Sequence, residues 1–158
     1  MDPYVFWKIT VADIIQFSWL LATILIAFVV NKNFTKGRYI KEFFINELKY
    51  IRDDYKNLFS DIYSSKLNAV NIKDRLKILS NRINMLNTCV KHNLKVNNHD
   101  FISSHSEFQM FITGDDEFNT HYKDSQLNFS DTTKTKIMSY QKKIIEKISQ
   151  YIIDINNA

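Results

Sequence analysis

Four histidines, His92, His99, His105 and His121, share one stretch of the chain with Asp100, Glu107, Asp115, Asp116, Glu117 and Asp124. Imidazole nitrogens and carboxylate oxygens are common metal donors and the usual partners in general acid–base catalysis, so such chemistry would have to sit here. The spacing argues against it. No HExxH or other fixed ligand interval occurs, and a polar connection between helices accounts for the same residues as solvated side chains. A Gly-rich phosphate loop, a GxSxG elbow and a Cys-His signature are also missing. No catalytic, cofactor-binding or metal-binding residue is therefore assigned, and the chain reads as non-enzymatic. The single cysteine, Cys89, excludes an internal disulfide and any CxxC zinc pattern; it reads as a small buried apolar residue in preference to a reactive thiol.

Asp13 is the other chemically pointed residue, a carboxylate at the edge of a run that carries no charge from Ile14 to Val30. On a helix, Asp13, Gln16, Leu20, Thr23, Ala27 and Asn31 fall within an arc of roughly 80°. This face suits protein better than lipid, as a self-association or partner interface in which Gln16 and Thr23 hydrogen-bond across helices for about 0.6 kcal/mol each. A proton relay through Asp13 is a second reading. The plainest is a carboxylate that opens the helix and favours its dipole.

The element that must position these residues is the apolar run itself. As helix, Ile14–Val30 is about 26 Å long, and about 33 Å if counted from Ile9, against a hydrocarbon core of ~30 Å. No other segment is apolar all round and able to enclose it, which favours a transmembrane helix over a buried core helix. Lys32, Lys36, Arg38 and Lys41 follow the run, opposed only by Glu42, while Asp2 and Lys8 precede it. The positive-inside bias then places the C-terminal bulk in the cytoplasm. Those four cations can also attract anionic lipid at about 1 kcal/mol each, although topology alone explains them. Tyr4, Phe6 and Trp7 suit an outer aromatic belt, and Tyr39, Phe43 and Phe44 an inner one. One lysine in the n-region, an overlong apolar run and no small-x-small site argue against a cleaved signal peptide.

Only two glycines and one proline occur, with neither between Gly37 and Gly114, so turns and hairpins lack their usual punctuation. Phe44, Leu48, Ile51, Tyr55, Leu58 and Ile62 keep a 4,3,4,3,4 spacing, which predicts that the membrane helix continues past Gly37 into an amphipathic helix ending near Ser64. After a turn over Tyr63–Asn71, Asn71 caps a second helix with Ile72, Leu76, Leu79, Ile83, Leu86, Val90 and Leu94 on its stripe. Phe101, Phe108, Phe111 and Ile112 permit a short third helix stopped by Gly114, and Asp115 to Phe129 reads as loop. Ser130 or Asp131 caps a last helix carrying Ile137, Tyr140 or Gln141, Ile144, Ile148, Tyr151 and Ile155. Stripes of two to three heptads favour intramolecular packing over a free coiled coil.

The formal charge of +4 is unevenly spread: residues 97–131 hold one basic against seven acidic groups, and 132–158 five against two. Lys134, Lys136, Lys142, Lys143 and Lys147 lie on the polar face of the last helix, where solvation is preferred to contact with nucleic acid. The aromatics interleaved with the acids, Phe101, Phe108, Phe111, Phe118, Tyr122 and Phe129, are read as covering the bundle rather than facing a partner.

The expected fold class is all-α: a single N-terminal transmembrane helix continuing into a cytoplasmic helical bundle of three long helices plus one short helix. Residues 1–8 form a short extracytoplasmic N-terminus, 9–31 the transmembrane helix, and 32–158 the cytoplasmic bundle. The style is bacterial or phage-like, and the expected location is the cell inner membrane. The expected function is a membrane-anchored, non-enzymatic interaction module, a scaffold or regulated effector. Its expected partners are the lipid bilayer and either a second copy or a membrane or cytosolic protein. Two alternatives remain open: a toxin or defence effector whose spans oligomerise and perturb the bilayer, and an ion-coupled subunit using Asp13.

Overall fold

The computed structural model describes the backbone of residues 11–123 and 126–158, with their side chains except those of 11–17 and 32–34. The expectations for residues 1–8, and for the side chains of Asp13, Gln16 and Lys32, lie outside the described residues. The described chain is all-helical: α1 Val11–Tyr63, α2 Ala69–Leu94, α3 His99–Thr113, α4 Asp116–Thr120 and α5 Asp131–Asn157. It divides into two units, Met1–Ile40 and Lys41–Ala158.

In the second unit, hydrophobic spacing decides what is buried. Phe44, Leu48, Ile51, Tyr55, Leu58 and Ile62 of α1 are all buried, joined by Phe59. From α2 come Ile72, Leu76, Leu79, Ile83, Leu86 and Val90, with Leu94 half-buried at the end of the stripe. Ile137, Ile144, Ile148, Tyr151 and Ile155 of α5 complete the core, while Tyr140 and Gln141 are both half-buried. Those two neighbours make different contacts. Tyr140 packs on Phe108 and Phe111, and Gln141 Oε1 accepts from the Tyr63 hydroxyl at 3.0 Å.

α3 packs against α5 and α2. Of the connector aromatics, Phe101, Phe108, Phe118 and Phe129 are buried in the second unit, while Phe111 and Tyr122 are half-buried. The Phe59–Phe108 and Phe111–Tyr140 rings stand 5.1 Å apart, within the range of favourable aromatic pairs. The acids of the same segment have local uses. Glu107 pairs with Lys143 at 2.6 Å and Asp100 with Lys147 at 3.2 Å, matching the acidic connector to the basic last helix. Asp115 caps α4 by accepting from Glu117 N and Phe118 N, and Glu117 accepts from Ser130 N at 2.8 Å. A backbone bond from Leu127 N to Leu67 O then ties the connector to the α1–α2 turn.

Three sequence expectations need correction. Asn68, not Asn71, caps α2; its side chain accepts from Asn71 N at 2.8 Å, because the helix starts at Ala69. Cys89 is exposed, since it stands beside the stripe of Leu86 and Val90 rather than on it. Asp115 to Phe129 is not all loop, because Asp115 nucleates the one-turn α4 and thereby buries Phe118. Of the two candidate caps for α5, Ser130 is the one used, accepting from Thr133 N.

Candidate functional site

In the first unit, the side chains from Ser18 to Asn31 are all exposed. Nine of them are large and apolar: Trp19, Leu20, Leu21, Ile24, Leu25, Ile26, Phe28, Val29 and Val30. Covering nine such groups would be worth roughly 20 kcal/mol at about 2 kcal/mol each, so an apolar environment would favour the segment. Among the described residues this is the helix long and apolar enough to cross a membrane. Leu20 and Ala27 of the expected interface are exposed, as any lipid- or partner-facing side chain would be. The Thr23 hydroxyl donates to Trp19 O at 2.8 Å, so its donor is satisfied within its own helix and calls for no second helix. Lys36, Arg38 and Lys41 follow; Lys41 Nζ donates to Asn156 O at 3.3 Å.

The buried polar centre of the second unit lies where α1, α2 and α3 meet. His105, only 3% exposed, contacts the Tyr55 hydroxyl through Nδ1 and Ser80 Oγ through Nε2 at 2.6 Å. Ser80 also reaches Gln109 Oε1 at 2.9 Å and Leu76 O at 3.0 Å. Nδ1 is the single hydrogen-bond partner of the Tyr55 hydroxyl among the described residues, and a buried phenol must donate, so Nδ1 accepts. Nε2 then carries the proton and donates to Ser80 Oγ, which passes its own proton on to Gln109 or Leu76. The network assigns this tautomer.

This direction matters for chemistry. A histidine that activates a serine must accept the hydroxyl proton, whereas here the imidazole donates to it. The network ties α1, α2 and α3 together through Tyr55, Ser80 and His105. Burial pushes His105 down from 6.5 to about 4 and holds the Tyr55 phenol far above the usual tyrosine range, so both groups stay neutral.

The other histidines do not join His105. His92, His99 and His121 are exposed, and among the described residues no group of three or more His, Cys, Asp or Glu side chains could hold a metal ion. The solvated reading of the connector histidines fails for His105 alone. Its signal is present in the sequence: Phe101, His105, Phe108 and Ile112 keep the 4,3,4 spacing of a buried stripe, with the imidazole standing at an apolar position.

A groove between α1 and α2 is the remaining feature of the second unit. Arg82 links α2 to both Glu47 and Asp54 of α1, and Arg75 pairs with Asp61 at 2.7 Å. Below Arg82 the groove has a cavity of about 190 Å³ lined by Phe43, Phe44, Glu47, Met85, Leu86 and Cys89. Phe43, Tyr50, Ile78 and Met85 are exposed beside it. Comparison with protein-family models, curated proteins and solved structures finds no match to this chain.

Proposed function

We propose that the chain is a single-pass membrane protein, with the segment from Ile9 to Asn31 spanning the bilayer and the second unit in the cytoplasm, acting as a non-enzymatic module that binds protein. The observation that carries this reading is the uninterrupted exposure of Ser18–Asn31 within the first unit, nine of whose side chains are large and apolar. Orientation follows from Lys32, Lys36, Arg38 and Lys41 on one side of the run. The neutral His105, donating to Ser80, supports a structural role for this part-buried Ser–His contact, in keeping with a protein that works by contact.

Flotation in a density gradient tests the anchor. The full chain should float with lipid and resist carbonate extraction. Replacing Leu21 and Leu25 together by arginine costs insertion about 6 kcal/mol, at roughly 3 kcal/mol each, and should abolish flotation. Wild-type protein released by carbonate would overturn the reading.

A further inference from the structure

We propose that the open α1–α2 face is the contact surface for a second copy of this chain, packed about a two-fold axis parallel to the helices. The inference rests on the membrane-anchored reading and names its partner.

Four exposed apolar side chains define the face: Phe43 (59% exposed) and Tyr50 (61%) on α1, and Ile78 (59%) and Met85 (70%) on α2. Each pair is separated by seven residues, so each shares one side of its helix. Their levels are fixed by the ion pairs. Arg82 reaches Glu47 and Asp54, which stand on either side of Tyr50 in sequence, so Arg82 is level with Tyr50. Met85 lies about one turn below that level, beside Phe43 and Phe44, and Ile78 about one turn above it, beside Asp54 and Asn57. Along the bundle axis the order is therefore Phe43, Met85, Tyr50, Ile78, alternating between α1 and α2.

This alternation is self-complementary. A two-fold axis parallel to the helices preserves height and brings α1 of one copy opposite α2 of the other. Phe43 and Tyr50 of one protomer then interleave with Met85 and Ile78 of its partner, one side chain per half-layer. The 190 Å³ cavity beside Phe43 and Met85 gives each protomer a recess for a knob from the other. Arg82, between two carboxylates of its own chain, lies at mid-height, where it can also meet the partner's acids. Copies anchored by the same span have their second units on the same side of the bilayer, which favours this parallel two-fold over an antiparallel one.

Cys89 supplies the test, since it is the only cysteine, is exposed and lines the groove. Full-length protein in membranes is treated with a short bismaleimide and resolved by mass. The expected product is an adduct of twice the chain mass. In Phe43→Lys and Met85→Lys its yield should fall about tenfold, as for loss of a central contact. Both side chains are exposed, so neither change removes a core contact, and far-UV circular dichroism checks the fold. The inference is overturned by complete labelling of Cys89 with a monofunctional maleimide but no dimer, by undiminished dimer in both variants, or by an adduct of another mass. Flotation of the same sample reports the anchor separately, so loss of dimer in floating protein counts against the face alone.

Discussion

Lowering the pH from neutral to about 4 should weaken the second unit through His105. The unfolded chain takes up a proton near the ordinary value of 6.5, whereas the folded chain holds this imidazole neutral down to about 4. Between those limits the unfolded state binds more protons, so stability is fully present above 6.5 and is lost as pH falls toward 4. At about 1.4 kcal/mol per pH unit the loss is roughly 3 kcal/mol, a large share of what a small domain has to spare. The geometry supplies the reason: protonating Nδ1 would displace the Tyr55 hydroxyl from its one described acceptor. Urea unfolding of the full chain in mild detergent, followed by tyrosine near-ultraviolet circular dichroism at a series of pH values, measures the effect. Both tryptophans, Trp7 and Trp19, lie in the first unit and do not obscure it. His105→Gln keeps one acceptor and one donor without a titrating group, so it should flatten the profile between pH 4 and 6.5. Glu107 and Glu117, held low by Lys143 and by Ser130, lose their contributions below the ordinary carboxylate value and mark a separate, more acidic phase. Identical profiles for wild type and His105→Gln would refute the assignment.

Backbone and cap substitutions give further outcomes in thermal or urea unfolding. Lys95 ends α2 in the left-handed region at φ 60°, where a side chain is strained, so Lys95→Gly should stabilise by about 1 kcal/mol. Gly114→Ala should destabilise by about 1 kcal/mol, because its new Cβ would stand 2.9 Å from Met110 O. Asn68→Ala removes the acceptor for Asn71 N and should cost about 1 kcal/mol.

The stripes of α1, α2 and α5 are legible in the sequence because each repeats over several turns without glycine or proline to interrupt it. The one-turn α4 is not, since five residues carry too little periodicity and the element depends on Asp115 as cap. Asn71 reads as the cap of α2 because the hydrophobic stripe begins at Ile72; only the bond to Asn71 N distinguishes it from Asn68. His105 escapes a reading by residue type, although its phase with Phe101, Phe108 and Ile112 marks it as buried. Cys89 is misplaced for the opposite reason, its apolar character outweighing a phase that leaves it beside the stripe. The α1–α2 face is hidden in the sequence because Phe43, Tyr50, Ile78 and Met85 belong to two helices, and only antiparallel packing interleaves their levels.

Membrane topology is tested most directly by Cys89 itself, an exposed thiol on the second unit. With a membrane-impermeant maleimide, Cys89 should stay unlabelled in intact spheroplasts and become labelled in inverted membrane vesicles. Labelling in spheroplasts and protection in inverted vesicles would place the second unit on the outer side and contradict the account.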